Sequence, residues 1–409
     1  MKQNPEPPIQ CKTTTPRFLI AIALTLGCFA LSPVPNAFGV SPPPDGGYPG
    51  NNTAEGTEAL FSLSSGIDNT ALGFRALYRN STGNFNTAEG FRSLFNNTSG
   101  GNNTAVGVQA LFSNTTGGNN TALGVNTLYR NTTGPFNTAT GWQALFNNTS
   151  GGNNTAAGVQ ALFSNTTGNY NTALGINTLY RNTTGHDNTA AGVQALFNNT
   201  TGDRNTALGL NTLYRNTSGS WNTATGWEAL FNNTGGFSNT ANGYIALQSN
   251  TVGYANTANG YAALSSNITG SWNTAIGTQA LLGNTAGDGN IALGYAAGAS
   301  ISTGDNNIDI GNSGVPGDDY TIRIGDGQDA TYIAGISGRT AAGGAPVFVA
   351  ADGKLGTVTS SRRFKKDIAD MDSRARPSSH CVRSPFVTSR SWIRPASRST
   401  ASWPRRWLR

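Results

Sequence analysis

Charged residues and cysteine are scarce in this chain of 409 residues. Only 11% of the residues are Asp, Glu, Lys or Arg, there are two histidines, and the three cysteines are Cys11, Cys28 and Cys381. Ordinary globular proteins carry roughly a quarter charged residues, and disordered proteins are usually highly charged, so the composition fits neither class. The long interval between Cys28 and Cys381 cannot be a disulfide scaffold. Glycine is abundant but does not recur at every third position, which excludes collagen.

The net charge of +6 is concentrated at the two ends of the chain. Residues 1–40 carry three basic and one acidic side chain, and residues 361–409 carry 13 basic and three acidic ones. The 320 residues between them carry 10 basic and 16 acidic side chains. The body of the chain is therefore mildly acidic, and we expect no nucleic-acid partner.

Residues 1–39 have the pattern of a secretory signal peptide. A polar, net positive start is followed by the apolar run Phe18–Ser32, and Ala37 and Gly39 are small residues at the −3 and −1 positions of a cleavage site. The run is shorter than the ~20 residues of a standard membrane-spanning helix. We predict cleavage after Gly39, a Pro- and Gly-rich linker over 40–50, a secreted or cell-surface location, and no transmembrane segment after signal removal. An uncleaved anchor, or lipidation at Cys28, is the alternative.

A 17-residue repeat runs through residues 51–311. Asn-Thr-Ala recurs at this interval from Asn52 to Asn273, with degenerate copies at Asn290 and Asn307, which makes sixteen units without an insertion. Numbered from this asparagine, the consensus is Asn-Thr-Ala-x-Gly-Φ-x-Ala-Leu-[Phe/Tyr]-x-Asn-Thr-Thr-Gly-x-x, where Φ is mostly apolar. Such a unit is too short for two packed helices but fits one coil of a solenoid. We predict an all-β, parallel β-solenoid or β-roll, roughly 75 Å long at the ~4.7 Å strand spacing.

The residue types found at each repeat position predict which side chains face inward. The fourth position accepts Glu89 as well as Leu123, so we expect it to face solvent, with the third-position alanine and fifth-position glycine facing a narrow interior. Leucine at the ninth position would fill the rest of the interior. Asparagines at the first and twelfth positions would form ladders along the stack. Asn-Thr-Ala-x-Gly is expected to be a strand and Asn-Thr-Thr-Gly a turn whose glycine supplies positive φ. The segment between them is either a second strand or one helical turn.

Apolar side chains at the fourth and sixth positions would leave a long exposed patch on a lone solenoid. The sixth position includes Phe74, Trp142, Ile176, Trp227 and Tyr244. Because such patches usually mark interfaces, we expect side-by-side self-association, most simply as a homotrimer.

The repeats resemble the head of trimeric autotransporter adhesins. The resemblance covers residues 51–311 and rests on the Asn-x-Ala-x-Gly core of each coil, although the period is longer than that of the family. It implies a trimeric left-handed β-roll that binds a surface ligand, such as a glycan or a cell surface, of unknown identity.

Residues 312–359 leave the repeat and are expected to form a short β-rich stalk. Segments starting at Tyr320, Thr331 and Pro346 have the pattern of short strands between Gly/Asp turns. Four aspartates in the region lack the spacing of known calcium loops, so we predict turns there, and no metal or cofactor is expected. Glycine-rich stretches lack the Lys-Ser/Thr of a phosphate loop.

The segment from Ser360 to Ile368 resembles the opening of the endosialidase-type intramolecular chaperone. That family forms a trimeric C-terminal domain that assists fibre assembly and then releases itself by serine–lysine self-cleavage. The resemblance implies Ser360 as nucleophile and Lys365 as its general base. Ser361 stands where the family has Asp.

Residues 360–372 would be the start of this chaperone, and residues 373–409 have a different composition. They contain nine Arg and nine Ser but no Lys and no acid, which predicts an out-of-frame or disordered basic tail. A tail that binds phosphates is the alternative. With the domain truncated or frameshifted, we expect self-cleavage to be lost and the chaperone to be vestigial.

Three functions are compatible with these features. The first is an exported structural or adhesin-like fibre with a non-catalytic, surface-binding role. The second is an active Ser/Lys self-cleaving peptidase and chaperone that acts on its own chain. The third is an ice- or polysaccharide-binding solenoid that uses threonine rows at the second, thirteenth and fourteenth positions.

Overall fold

The computed structural model describes residues 48–336 and 344–357, and these are the residues discussed below. The chain divides into two units, Met1–Ala330 and Thr331–Arg409. The predicted signal peptide and the segment that resembles a chaperone lie outside the described residues.

The first unit is an all-β parallel solenoid, as the repeat predicts. Each coil contributes one strand of three residues, and equivalent residues of successive coils pair in register, as Thr138 pairs with Thr155. Threonine is β-branched and suits the pleated, half-exposed surface of a strand. The strands are β1 (Thr53–Glu55), β2 (Thr70–Leu72), β3 (Thr87–Glu89), β4 (Thr104–Val106), β5 (Thr121–Leu123), β6 (Thr138–Thr140), β7 (Thr155–Ala157), β8 (Thr172–Leu174), β9 (Thr189–Ala191), β10 (Thr206–Leu208), β11 (Thr223–Thr225), β12 (Thr240–Asn242), β13 (Thr257–Asn259), β14 (Thr274–Ile276), β15 (Ile291–Leu293), β16 (Ile308–Ile310) and β17 (Ile322–Ile324).

The sheet extends one strand beyond the last 17-residue unit. β17, which falls within the predicted stalk strand that starts at Tyr320, pairs with β16 through Ile308 and Ile322. The spacing of that pair is 14 residues rather than 17, so the last coil is shorter than the others. The sheet therefore continues into residues that do not show the repeat.

Alanine and leucine form the interior, as the repeat predicts. The third-position alanines and ninth-position leucines are fully buried along most of the stack, as in Ala139 and Leu145. A Cβ added to Gly298, at a ninth position, would lie 3.4 Å from Cβ of Ala292, at the third position of the same coil. The two positions therefore face each other across the interior. The fourth position faces outward, as predicted, with Leu123 and Leu174 about 40% exposed.

The segment after the strand is neither a second strand nor a helical turn. The residues at the seventh and ninth positions have left-handed backbone, with φ of 48–54° for the leucines from Leu60 to Leu281. This conformation costs leucine about 1–2 kcal/mol. Full burial of the same side chain contributes about 1.5–3 kcal/mol, which offsets the strain. The turn thus directs a large side chain inward from a tight corner.

Two invariant glycines serve purposes other than those predicted. At the fifth position the strand has already ended and φ is positive, 124° at Gly141, where a Cβ would meet the carbonyl oxygen of Gly158 at 2.6 Å. This glycine therefore allows a turn against the next coil and does not simply face a narrow interior. At the fifteenth position φ is not positive. There a Cβ on Gly151 would lie 2.4 Å from the carbonyl oxygen of Gly168, so close approach excludes a side chain.

Two asparagine ladders run along the stack, as predicted. In the first-position ladder, the Nδ2 of Asn154 donates to the Oδ1 of Asn137 at 3.1 Å and to the carbonyl oxygen of Gly168 at 2.9 Å. In the twelfth-position ladder, the Nδ2 of Asn165 donates to the Oδ1 of Asn148 and also to Gly168. The carbonyl oxygen of one glycine therefore accepts a hydrogen bond from each ladder and links the turn to both ladders.

The second unit contains a small antiparallel pair in its described part. β18 (Phe348–Val349) pairs with β19 (Leu355–Gly356) around a turn that Gly353 closes with a hydrogen bond to Ala350. β18 agrees with the strand expected from Pro346, whereas the segment from Thr331 forms no strand in its described residues.

Candidate interaction surfaces

The sequence-predicted catalytic residues cannot be placed, because Ser360 and Lys365 lie outside the described residues. Among the residues that are described, no group of three or more His, Cys, Asp or Glu side chains is arranged to hold a metal ion. A depression of about 370 Å³ lies at the N-terminal end of the solenoid, lined by Tyr48, Leu60 and Ile67 among others. Its lining contains no carboxylate, amine, imidazole or thiol. The candidate interaction sites among the described residues are therefore the outer faces of the solenoid.

An apolar stripe follows the sixth position through twelve consecutive coils. From Phe91 to Tyr261 each side chain of the stripe is 38–50% exposed. At the strand spacing of ~4.7 Å, twelve coils cover about 55 Å, and a width of about 10 Å gives an area of the order of 550 Å². That is near the top of the range for the largest apolar patch of a soluble monomer. The stripe consists of Phe74, Phe91, Val108, Val125, Trp142, Val159, Ile176, Val193, Leu210, Trp227, Tyr244 and Tyr261.

An aromatic column follows the tenth position. Eleven rings from Phe61 to Phe231 stack face to face, and neighbouring centroids lie 5.0–5.2 Å apart. The planes differ by at most 10°. Because each ring covers the faces of its neighbours, the column presents ring edges to solvent. The column therefore stabilises the stacking of the coils and leaves no ring face between neighbouring rings free to bind a ligand.

The threonine rows differ in what their hydroxyls do. At the thirteenth position each hydroxyl from Ser64 to Thr251 donates to the next coil, as Thr132 donates to the carbonyl of Thr149 at 2.9 Å. At the second position threonines lie on the outer side of the strands, beside a fourth position that holds Glu89, Leu123 and Thr140 in turn. The strand face is therefore a regular threonine column next to a chemically mixed one.

A buried carboxylate lies at the C-terminal end of the stack. Asp309 takes the third position, where other coils have alanine, and is 1% exposed. Burial, together with the nearby Asp318, raises the pKa of Asp309 to about 6, and Arg323 opposes this rise. The guanidinium of Arg323 donates to both carboxylate oxygens of Asp318, at 2.6 and 2.7 Å, and lowers the pKa of Asp318. The Oδ2 atom of Asp309 has no hydrogen-bond partner.

The twelfth-position ladder also ends near this point. Ile301 replaces the asparagine there, and the Oδ1 atom of Asn284 in the preceding coil is left without a partner. The last coils thus depart from the repeat in two buried positions. Both departures are visible in the sequence as exceptions to the consensus, although their burial is not.

Comparison with known proteins adds no family assignment. No protein-family model matches the chain, and no curated protein matches it. Within the described residues, no helix is long and apolar enough to cross a membrane.

Proposed function

We propose that this chain is an exported, adhesin-like fibre protein whose solenoids associate side by side as a homotrimer. The supporting observation is the apolar stripe, which is exposed in eleven consecutive coils from Phe91 to Tyr261. A second copy is the occupant that matches it best, because only a partner with the same coil spacing can contact every member of the stripe. The remaining faces would then be available for a surface ligand, such as a glycan or a cell surface.

The size of the apolar surface supports association between copies of the chain. A stable interface buries about 800 Å² on each partner, and the stripe alone supplies of the order of 550 Å². Apolar fourth-position side chains such as Leu123, Leu174 and Leu208, each about 40% exposed, lie two residues away along the chain and add to this area. In a trimer each chain meets two neighbours and would bury about 1,600 Å², so the threefold stoichiometry rests on the resemblance to trimeric adhesin heads.

The oligomeric state of the full chain tests the proposal. We expect light scattering during size-exclusion chromatography to give three times the 42.4 kDa of one chain, less any leader that is removed. The double variant Trp142→Glu/Trp227→Glu would put two charges into the stripe and is expected to dissociate the assembly. Trp221→Glu is the matched control, because Trp221 is 56% exposed but occupies the seventeenth position, away from the stripe. A monomeric wild type contradicts the association, and a dimer contradicts the threefold stoichiometry.

Export and self-cleavage are tested on the same preparation. Secretion with a mature N-terminus at Val40 would support the leader assignment, and a retained Met1 would contradict it. The proposal includes a vestigial chaperone, so we expect intact mass spectrometry to show no product that ends at Thr359. Such a product, abolished by Ser360→Ala, would establish the alternative of an active Ser/Lys self-cleaving peptidase.

An ice-binding role has weaker support than the fibre. The second-position threonines repeat in register, but the adjoining fourth position mixes Glu, Leu, Val, Thr, Ala and Asn, so the strand face as a whole does not repeat. The thirteenth-position hydroxyls already donate within the protein, for example in Thr132. We therefore expect no thermal hysteresis from the purified chain.

A further inference from the structure

Four exposed arginines form a column along the eleventh position. Arg79, Arg130, Arg181 and Arg215 occupy units two, five, eight and ten. All four are exposed. Successive members are three, three and two coils apart, which corresponds to about 14, 14 and 9 Å at the strand spacing. We call these residues the arginine column.

The arginine column lies away from the strand face. The third and ninth positions face each other across the interior, as the Gly298–Ala292 geometry shows. Residues just after the ninth position therefore belong to the side of the coil opposite the strand. The sixth position borders this side, because Cζ of Arg92 lies 5.1 Å from the Phe91 ring and 5.6 Å from the Phe95 ring. The strand residues of the second to fourth positions lie outside it.

The arginine column lies beside the aromatic column and forms no ion pair among the described residues. The Cζ atom of each guanidinium lies 5.5–5.9 Å from the centroid of the tenth-position ring in the next coil. The ion pairs among the described residues involve other arginines, namely Arg75, Arg204 and Arg323. No Asp or Glu occurs between the eighth and fifteenth positions of any complete coil. The side therefore carries four positive charges, although the body of the chain is acidic.

Hydroxyl groups without an intramolecular hydrogen bond lie at the fourteenth position, three residues after the arginine column in each coil. The fourteenth position holds Ser or Thr in ten consecutive coils, and all ten are exposed. Unlike the hydroxyls of the thirteenth position, these make no hydrogen bond within the described solenoid. They are Ser65, Thr82, Ser99, Thr116, Thr133, Ser150, Thr167, Thr184, Thr201 and Ser218.

We propose that this side binds a linear anionic polysaccharide, such as a polyuronate, laid along the solenoid. Guanidinium groups of the arginine column would bind its carboxylates, and fourteenth-position hydroxyls would bind its sugar hydroxyls and ring oxygens. A single-stranded nucleic acid fits less well, because such ligands are held by bases stacked on aromatic faces. Here the tenth-position rings cover one another's faces. This inference rests on the proposed function, whose surface ligand it specifies.

Binding of the full chain to polygalacturonate, with neutral dextran as the reference polymer, tests the inference. We expect binding to polygalacturonate only, weakened roughly 50-fold between about 50 and 200 mM NaCl, from a slope of about −0.7 for each of four neutralised charges. The quadruple Arg→Gln variant of the column is expected to lose at least about tenfold in affinity. The quadruple Arg→Lys variant, which keeps the charge, is expected to retain most of the affinity. The arginines of residues 373–409 are the same in every variant, so their contribution cancels.

A matched pair of single variants locates the site. Cζ of Arg130 lies 5.9 Å from the centroid of the Phe146 ring. Arg204 has a similar contact with Trp221, at 5.8 Å, but it is at the seventeenth position, outside the column, and it pairs with Asp187. We expect Arg130→Gln to weaken binding several-fold and Arg204→Gln to leave it unchanged.

Three results would overturn the inference. These are no binding to polygalacturonate at low salt, equal binding by the wild type and the quadruple Gln variant, or tighter binding to single-stranded DNA that the quadruple Gln variant abolishes. A chain that forms trimers and binds no polyuronate would overturn this inference alone and leave the proposed fibre intact. A monomer that still binds polyuronate through the column would overturn the proposed association and leave this inference intact.

Discussion

Replacing one ladder asparagine by aspartate should break the solenoid locally, although the two side chains have the same shape. In Asn154→Asp the amide that donates to Asn137 and Gly168 becomes a carboxylate oxygen. That oxygen would face two acceptors within a site that is 1% exposed. The other oxygen still accepts from the backbone N–H and the Nδ2 of Asn171, at 3.0 and 3.2 Å. The variant therefore loses its two donations and introduces a buried charge.

The size of the effect has two parts. Two lost hydrogen bonds cost about 0.5–1.5 kcal/mol each. Burial that raises a carboxyl pKa by about 3 units costs about 4 kcal/mol at neutral pH. The sum, about 5–7 kcal/mol, is comparable with the total stability of many domains. In a solenoid, where each coil contacts only its neighbours, the loss should concentrate in the coils around residue 154.

The control is the adjacent residue. Asn153 is exposed and has φ of 57°, a conformation that Asp also tolerates, so Asn153→Asp makes the same chemical change on the surface. We expect hydrogen exchange to accelerate over residues 137–188 in Asn154→Asp but not in Asn153→Asp at pH 7. In urea unfolding followed by circular dichroism, the free-energy difference between the variants should exceed about 4 kcal/mol.

The pH dependence separates the two parts of the cost. Because burial raises the pKa of the introduced carboxyl group in the folded state, its charge penalty is full above that pKa and disappears below the unfolded value near 4. The difference between the variants should therefore shrink to about 1–3 kcal/mol at pH 3, where only the lost donations remain. If the two variants unfold within about 0.5 kcal/mol of each other at pH 7, the ladder does not stabilise the stack in the way described.

Three further substitutions test the interior, the turn and the C-terminal coil. Leu145→Ala should lower the free energy of unfolding by about 2–5 kcal/mol, because it leaves a cavity at a fully buried ninth position. Leu174→Ala on the outer face should lower it much less. Equal losses in urea titrations would contradict the assignment of the two positions to the interior and the surface. Gly141→Ala should destabilise the fold strongly, since φ is 124° and a Cβ would lie 2.6 Å from a carbonyl oxygen. Gly235→Ala should be tolerated, because φ is not positive there and a Cβ would have room. Similar melting temperatures for the two variants would contradict a requirement for glycine at position 141. Asp309 has a pKa raised to about 6 in the folded state, so the wild type should lose up to about 3 kcal/mol as pH rises from about 4 to about 6. Asp309→Asn should remove that loss, and an unchanged stability–pH profile would count against a buried titrating carboxyl.

Strict repetition is what allowed much of this fold to be predicted. Asparagine at every first position, and at the twelfth position from Asn80 to Asn284, can be satisfied by in-register stacking, and the ladders through Asn154 and Asn165 confirm it. Substitution within the repeat was equally informative. Because the fourth position accepts both Glu and Leu, it had to face outward, and the buried Ala–Leu interior followed from that.

The backbone of the corner was decided only by the tertiary structure. No local rule places leucine in a left-handed conformation, as in Leu145 with φ of 52°, because the strain is offset by burial against a strand residue of the same coil. The same holds for the fifteenth-position glycine, whose need depends on the next coil and not on its own φ. The arginine column had a visible signal, since Tyr-Arg recurs at intervals of three and two units. Only the tertiary structure shows that these arginines are exposed, lie beside the aromatic column and form no ion pair among the described residues. Sequence thus determined the period, the sheet and the buried positions, whereas contacts between coils decided how each coil turns and which charges share a surface.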